Sequence, residues 1–254
     1  CLGAGSPGQT YLDMDKILAA ARSSGADAIH PGYGFLSENA TFARRVEEAG
    51  LIYIGPDSRT VAEMGDKTRA HRRALASGCL VLPGYRGPGG PGRLLKEAEK
   101  IGYPLLLKAA AGGGGRGMRR VDRAAGFEEA FKSAQHEATQ AFGDGRLFVE
   151  KLLLRARHVE VQVIGDGKGA ALHLGERDCS LQRRHQKIVE ESPCPVLDEA
   201  SRQKVCSQAL ALTASLRYAG AGTLEFLYDP LAREFYFLEM NTRIQVEHPL
   251  SEMR

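Results

Sequence analysis

Apolar and polar positions change period several times along the chain, and each change marks an element. Over residues 1–60, short apolar runs alternate with amphipathic stretches. Ile17, Leu18 and Ala21 recur at helical spacing behind Asp13 and Asp15, either of which suits an N-cap. Asp27–His30 reads as a short strand closed by Pro31-Gly32-Tyr33-Gly34. Ser37 is placed to cap a helix that carries Phe42 and Val46 and stops at Gly50. Leu51–Ile54 is the next strand, ended by Gly55-Pro56. This βαβ rhythm predicts a parallel sheet.

Helical spacing runs through 61–79. The stretch from Pro83 to Gly92 then interrupts regular structure and reads as a linker or mobile loop. A compact α+β region follows: a strand at Leu105–Ala109, a glycine-rich loop at 112–117, a helix with Phe127, Ala130, Phe131 and Ala134, and a strand at Leu147–Lys151. A third region opens with a strand at His158–Ile164, turns at Asp166-Gly167 and returns through Ala170–Leu174. A helix at about 199–217 keeps Val205, Ala209, Leu212 and Leu216 on one face. No internal repeat or low-complexity tract intervenes.

The last element is a hairpin. Thr223–Tyr228 and Phe235–Asn241 both read at period two, and Asp229-Pro230 begins the turn. Strict alternation puts Phe235, Phe237, Glu239 and Asn241 on one face and Tyr236, Leu238 and Met240 on the other. Closure about Ala232 sets Glu225 opposite Glu239. Directly opposed Cβ atoms lie about 5 Å apart, so two carboxylates there repel unless a positive charge lies between them. Hard oxygen ligands at this spacing suit Mg²⁺.

Composition narrows the function classes. A chain of 254 residues with 43% apolar residues holds one large domain or two smaller ones. A net charge of +3 gives no argument for nucleic acid or a membrane surface as partner. No apolar run approaches the roughly 20 residues of a membrane span. Five scattered cysteines without a Cys-x-x-Cys pair point to a reducing compartment. The chain opens on Cys1-Leu2-Gly3 without a signal peptide and ends at Ser251–Arg254 without a helix stop, so the expectation is a fragment cut at both ends.

Several constellations carry chemistry. Backbone N–H groups of Gly112–Gly117, with Lys108 and Arg116, can wrap phosphate oxygens, though a flexible turn is the competing reading. Lys67, taken alone, reads as a solvated helix lysine. Glu150 and the backbone at 151–153 can grip a purine, but locally they read as an ordinary strand end. Gln182–Lys187 packs Arg183, Arg184, His185 and Lys187 together; a solvated basic loop competes with an anion site. Arg243, Gln245 and Glu247 alternate, and extended geometry projects all three to one side. Arg binds a planar oxyanion bidentately, Gln hydrogen-bonds it, and Glu247 is the base in reach of its proton. Together the parts suit phosphoryl transfer to a small oxyanion.

The chain resembles the biotin carboxylase component of biotin-dependent carboxylases, in the ATP-grasp superfamily. The resemblance covers essentially all residues. It is carried by His30–Asn39, Gly113–Met118, Glu176–Lys187 and Glu239–His248. It implies a mixed α/β and α+β architecture. Residues 1–55 would be part of an N-terminal Rossmann-like parallel-sheet domain and 56–80 a helical linker. Residues 81–152 would form the small lid and 153–254 an incomplete, larger antiparallel-sheet central domain. By the same resemblance Lys67, Lys108, Gly114, Gly115, Met118, His158, Gln182 and His185 are nucleotide contacts, and Glu150, Lys151 and Leu153 the adenine hinge. Glu225, Glu239 and Asn241 are ligands for Mg²⁺ or Mn²⁺, with two ions, and the two carboxylates also face ATP. Lys187, Arg243, Gln245, Val246 and Glu247 hold bicarbonate, with Glu247 as its base; Lys187 and Arg243 share in catalysis.

The implied reaction converts ATP and bicarbonate to carboxyphosphate and then carboxylates biotin on a carrier. Implied partners are a biotin carboxyl carrier and a carboxyltransferase, as subunits or domains, and a second copy in a homodimer. The implied location is the bacterial cytoplasm, or the mitochondrial matrix in a eukaryote. Two departures bear on this. Ala111 replaces a glycine usual in the loop. Family members also begin earlier and continue past residue 254, where another active-site arginine lies. The 254 residues alone are therefore expected to bind ATP poorly and not to carboxylate biotin.

Overall fold

The computed structural model of the chain describes residues 1–111, 117–184 and 186–254. Its first layer is small. Helix α1 (Met14–Ser24) is capped by Asp13, whose side chain accepts from the Lys16 N–H, and ends at Gly25 with φ of 67°. Strands β1 (Ala28–Ile29) and β2 (Ile52–Tyr53) pair in parallel, as the βαβ rhythm predicts. Between them lies α2 (Ala40–Glu48). Its cap is Asn39 rather than Ser37; the Asn39 side chain accepts from the Phe42 N–H, while Ser37 is buried one turn earlier. Leu18, Leu36, Phe42, Val46, Tyr53 and Val61 close this core.

The helix expected over 61–79 is two helices, α3 (Ser58–Gly65) and α4 (Lys67–Ala76). Asp66 breaks them apart with φ of −94° and ψ of 109°, and its carboxylate accepts from the Arg69 N–H to cap α4. Lys67 thereby becomes the first residue of a helix instead of a mid-helix surface position.

The stretch 83–92 is more ordered than its composition predicts. Gly84–Tyr85 form β3, which pairs with β6, and Pro91 begins α5 (Pro91–Ile101). A four-stranded sheet then runs β3–β6–β4–β5 with β4 (Leu105–Ala109), β5 (Arg119–Val121) and β6 (Leu147–Lys151). Helix α6 (Phe127–Phe142) covers one face together with α5, burying Leu94, Leu105, Leu107, Phe131, Ala134 and Val149. The opposite face carries Lys108 opposite Phe148 and Leu106 opposite Glu150. The loop Gly112–Arg116 lies outside the described residues.

The largest sheet is five-stranded and antiparallel, ordered β11–β10–β7–β8–β9. It comprises β7 (Arg157–Asp166), β8 (Ala171–Arg183), β9 (Gln186–Glu191), β10 (Ala219–Asp229) and β11 (Glu234–Asn241). Strand β8 is longer than the sequence pattern implies, so Gln182 and Arg183 belong to a hairpin and not to a solvated loop. Helix α7 (Glu199–Ser215) and α4 pack on one face against Val159, Val161, Val163, Leu224, Phe226, Phe235 and Phe237.

The β10–β11 pair holds the main correction. Glu225 does stand opposite Glu239, but Phe226 stands opposite Phe237, so Leu238 is an inserted β-bulge residue. The bulge inverts the alternation. Phe235, Phe237 and Met240 all reach the same core. Glu239 and Asn241 therefore point away from the aromatics, not with them. They join His158, Glu160, Gln162, Thr223 and Glu225, the residues that alternate out of the core on β7 and β10. After Asn241 the chain leaves the sheet. Arg243–Glu247 are irregular rather than an extended edge, because α8 (His248–Glu252) starts at once with Pro249 in its first turn.

Candidate active site

The polar face of the five-stranded sheet gathers carboxylates around a few cations. Glu160 and Glu225 are direct neighbours across β7 and β10. His158 bridges them, its Nε2 lying 3.2 Å from Glu160 and 3.0 Å from Glu225. Lys187, carried in by β9, contacts Glu160, lies 3.3 Å from Glu225 and donates to Glu247 at 2.6 Å. Asn241 Nδ2 donates to Glu225 Oε1 at 2.7 Å, and Gln245 Nε2 donates to the same oxygen at 3.2 Å.

These contacts set the protonation states. Burial opposes charge on His158, but its hydrogen bonds to Glu160 and Glu225 outweigh it and lift the pKa to about 9. Burial also opposes charge on Lys187, yet Glu225 and Glu160 hold it above the usual lysine range. Burial would raise Glu225, but His158 and then Lys187 bring it down. Glu239 differs. Burial and the neighbouring Glu225 push its pKa up, and Lys67 only partly offsets them. Glu239 accepts no hydrogen bond from any of the described residues.

A second charged group lies on the face of the four-stranded sheet opposite α5 and α6. Glu150 is 1% exposed and pairs with both Lys108 and Arg86. Arg86 also lies over the Phe148 ring, 5.3 Å from its centroid. The field of Glu150 and Lys108 reaches Lys67, whose pKa is lowered chiefly by burial. Lys67 feels Glu239 as well, so the α4 N-terminus stands between the two sheets' charged groups.

The sequence-predicted residues fall into three sets. Lys187, Glu225, Asn241, Gln245, Glu247 and His158 are joined by direct contacts. Gln182 joins them through His158, its Nε2 2.9 Å from Nδ1. Arg243 lies beside Asn241 Oδ1 at 3.3 Å and pairs with Glu38 at 3.1 Å. Lys67, Lys108 and Glu150 form the second set, linked to Glu239 by charge. A third set contributes less. Lys151 turns its Nζ to the carbonyls of Gly102 and Tyr103, both at 3.0 Å, and its N–H donates to Pro83. The Leu152 N–H donates to the Pro104 carbonyl at 3.2 Å. Val246 is exposed, and Met118 precedes β5 with its carbonyl accepting from Arg119. Gly114, Gly115 and His185 lie outside the described residues.

Sequence reasoning missed Glu160, Arg177, Glu38 and Arg86. Glu160 was findable, because period two from His158 puts it on the same face. Arg177 and Arg86 offer only a charge within an apolar pattern, and Glu38 is joined to Arg243 by the tertiary fold alone.

The residues present suit a divalent cation. One ligand atom from each of His158, Glu160 and Glu225 lies within 4.8 Å of the others. The predicted set Glu225, Glu239 and Asn241 offers oxygen donors. Glu239, half-buried and without a hydrogen-bond donor among the described residues, is a carboxylate that an added positive charge would stabilise.

The biotin carboxylase N-terminal domain pattern matches residues 1–61, and the pattern for the ATP-binding domain of the carbamoyl-phosphate synthase L chain matches residues 66–254. Biotin carboxylase of Pseudomonas aeruginosa is 49% identical over 255 residues, covering 100% of this chain and 56% of that protein. The chain belongs to the biotin carboxylase family. A crystal structure of Campylobacter jejuni biotin carboxylase in a β,γ-ATP complex superposes with a TM-score of 0.96 at 49% identity, over 100% of this chain and 57% of that one. The biotin carboxylase domain dimer of Hydrogenobacter thermophilus 2-oxoglutarate carboxylase, with MgADP and bicarbonate, gives 0.94 at 44% identity, over 99% and 55%. The fold is thus that of the biotin carboxylase ATP-grasp proteins, and the chain spans about half the length of these relatives. Among the described residues, no helix is long and apolar enough to cross a membrane.

Proposed function

We propose that the polypeptide carrying this chain is a biotin carboxylase that uses ATP and bicarbonate to carboxylate biotin on a carrier protein. The observation that carries the reading is Lys187 donating to Glu247 at 2.6 Å, beside a carboxylate that also accepts from Asn241 and Gln245. A cation, an amide donor and a carboxylate base thus meet next to the oxygen donors suited to a metal–nucleotide. Lys187, Gln245 and Arg243, with the backbone near Val246, would hold bicarbonate. Glu247 would take its proton as a bicarbonate oxygen attacks the γ-phosphorus, releasing ADP and forming carboxyphosphate. Lys67, Lys108, His158 and Gln182 would position the nucleotide, with Leu153 and the Glu150 pair on its base side. Mg²⁺ or Mn²⁺, as two ions held by Glu225, Glu239 and Asn241, would neutralise phosphate charge.

The same reading divides the chain into an N-terminal part (1–55), a helical linker (56–80), a lid (81–152) and a central domain (153–254). It implies a biotin carboxyl carrier, a carboxyltransferase and a homodimer. It also implies a reducing compartment, the bacterial cytoplasm or the mitochondrial matrix, in keeping with five free cysteines. The test is ADP release by the full-length polypeptide. It should require bicarbonate and rise with free biotin. Release driven by ammonia or an amino acid in place of bicarbonate would overturn the proposal.

A further inference from the structure

Arg177 is the largest fully buried side chain among the described residues, with 0% exposure. It stands in the middle of β8, on the polar face, and none of the roles above uses it. Its Nη1 donates to Gln162 Oε1 at 2.9 Å and to Ser251 Oγ at 2.8 Å. Its Nη2 donates to Glu160 Oε2 and to Gln245 Oε1, both at 3.2 Å. One guanidinium therefore ties β7, the irregular segment after β11, and α8 to one point.

We propose that Arg177 is a positioning residue that makes the anion pocket donor-only by fixing which end of the Gln245 amide enters it. A guanidinium carries only N–H donors and does not deprotonate in proteins. Any amide facing it must present its oxygen. Gln162 obeys this rule: its oxygen meets Arg177, and its Nε2 donates to the Gly222 carbonyl at 2.9 Å. Gln245 obeys it too, so its NH₂ group points at Glu225 Oε1, 3.2 Å away. A free amide rotates between two orientations of nearly equal shape. With Arg177 behind it, Gln245 gives one N–H to Glu225 and turns the other, and no lone pair, to the pocket. An oxyanion such as bicarbonate meets Lys187, Arg243 and an amide that only donates. Arg177 on one side and the Glu225 carboxylate on the other hold this orientation, and without Arg177 the Glu225 contact alone opposes the flip that would set a carbonyl oxygen against the anion. Arg177 also bonds Glu160, which Lys187 contacts, so the charge on Glu160 is shared between a buried and a pocket-facing cation.

This inference rests on the bicarbonate reading, and the test separates the two. The full-length polypeptide is assayed for bicarbonate-dependent ADP release, as wild type, Arg177→Lys, Gln245→Ala and the double variant. Lysine keeps the charge but cannot span the partners of both amino groups. Loss of hydrogen bonds to a charged group predicts a bicarbonate KM about 10-fold higher in Arg177→Lys, with the MgATP KM within about twofold of wild type. In the Gln245→Ala background the same substitution should add little, because Arg177 acts through that amide. Equal effects in both backgrounds, an unchanged bicarbonate KM, or a joint rise of both KM values would overturn the proposal. If Arg177→Lys does not fold, Ser251→Ala removes one anchor of the guanidinium. It should raise the bicarbonate KM about two- to fivefold at constant MgATP KM, as for one net hydrogen bond; no change there overturns the proposal as well. A wild-type protein without any bicarbonate dependence would instead refute the functional reading.

Discussion

Glu225 and Glu239 face each other across β10 and β11, yet their carboxyl groups shift in opposite directions. Burial raises both. Glu225 is brought below the usual range by His158, Lys187 and Asn241, whereas Glu239 stays above it, because burial and Glu225 outweigh the charges of Lys67 and His158. Without metal, Glu225→Gln should therefore destabilise the protein by about 1.5–3 kcal/mol, because His158 and Lys187 each lose one carboxylate partner and keep Glu160. Glu239→Gln should change stability by less than about 1 kcal/mol, since an amide replaces a poorly solvated carboxylate. Urea unfolding in chelator distinguishes the two. In the full-length polypeptide Glu239→Gln should also raise the Mg²⁺ concentration needed for ADP release. An unchanged metal titration would remove Glu239 from the ligand set.

Glu247 is bound to Lys187 rather than to the metal-type carboxylates. Substitution to Gln keeps a hydrogen-bonding group there but removes the base. In the full-length polypeptide, Glu247→Gln should leave the MgATP KM nearly intact and lower bicarbonate-dependent turnover by about 10²–10⁴-fold, the range for loss of a general base. Near-normal steady-state turnover would exclude Glu247 from proton removal.

His71, one turn into α4 from Lys67, is 5% exposed and meets the edge of Phe237 with ring centroids 5.9 Å apart. Burial, then the charges of Arg86 and Lys108, lower its pKa from 6.5 to about 4, with Glu150 opposing. The unfolded chain thus binds a proton below about pH 6.5 that the folded chain refuses until about pH 4, so stability falls as pH drops through that window. The full effect is on the order of 3 kcal/mol. His71→Leu should flatten the pH dependence of urea unfolding between pH 7 and 4.5 by about that amount. Parallel curves for the two proteins would show that His71 takes up its proton in the folded state.

Much of this was legible in the sequence where period and punctuation agree. The strands at 105–109 and 147–151 matched to the residue because apolar β-formers end sharply there. Glu225, Lys187, Gln245 and Glu247 were readable as chemistry because charged and amide residues recur at short spacing. The site's second half was not. Asp66 looked like one more polar residue in a helix, although its carboxylate ends one helix and begins the next. Glu38 meets Arg243 across 205 positions of chain, a contact no local pattern encodes. Arg177 shows only as a charge in a strand, and its five partners come from β7, β10, the segment after β11 and α8.

Leu238 gives the sharpest case. Counting from the turn, Asp229 pairs with Glu234 and Phe226 with Phe237, a register that would set Glu225 opposite Leu238. The inserted residue moves Glu239 into that place and turns Glu239 and Asn241 out of the aromatic core. Directly opposed residues share a face, so without Leu238 a regular ladder would still set Phe237 opposite Phe226 and Glu239 opposite Glu225. Deleting Leu238 should therefore remove the bulge but keep Glu239 and Asn241 on the polar face and Met240 in the core, at a cost of about 1–3 kcal/mol for the lost contacts of a half-buried leucine. Leu238→Val keeps the bulge and should cost less than about 1.5 kcal/mol. Thermal unfolding with isothermal titration of MgATP on both variants of the full-length polypeptide checks this. A deletion variant that folds but no longer binds MgATP would show that the bulge itself, and not only the face it selects, orients the carboxylate.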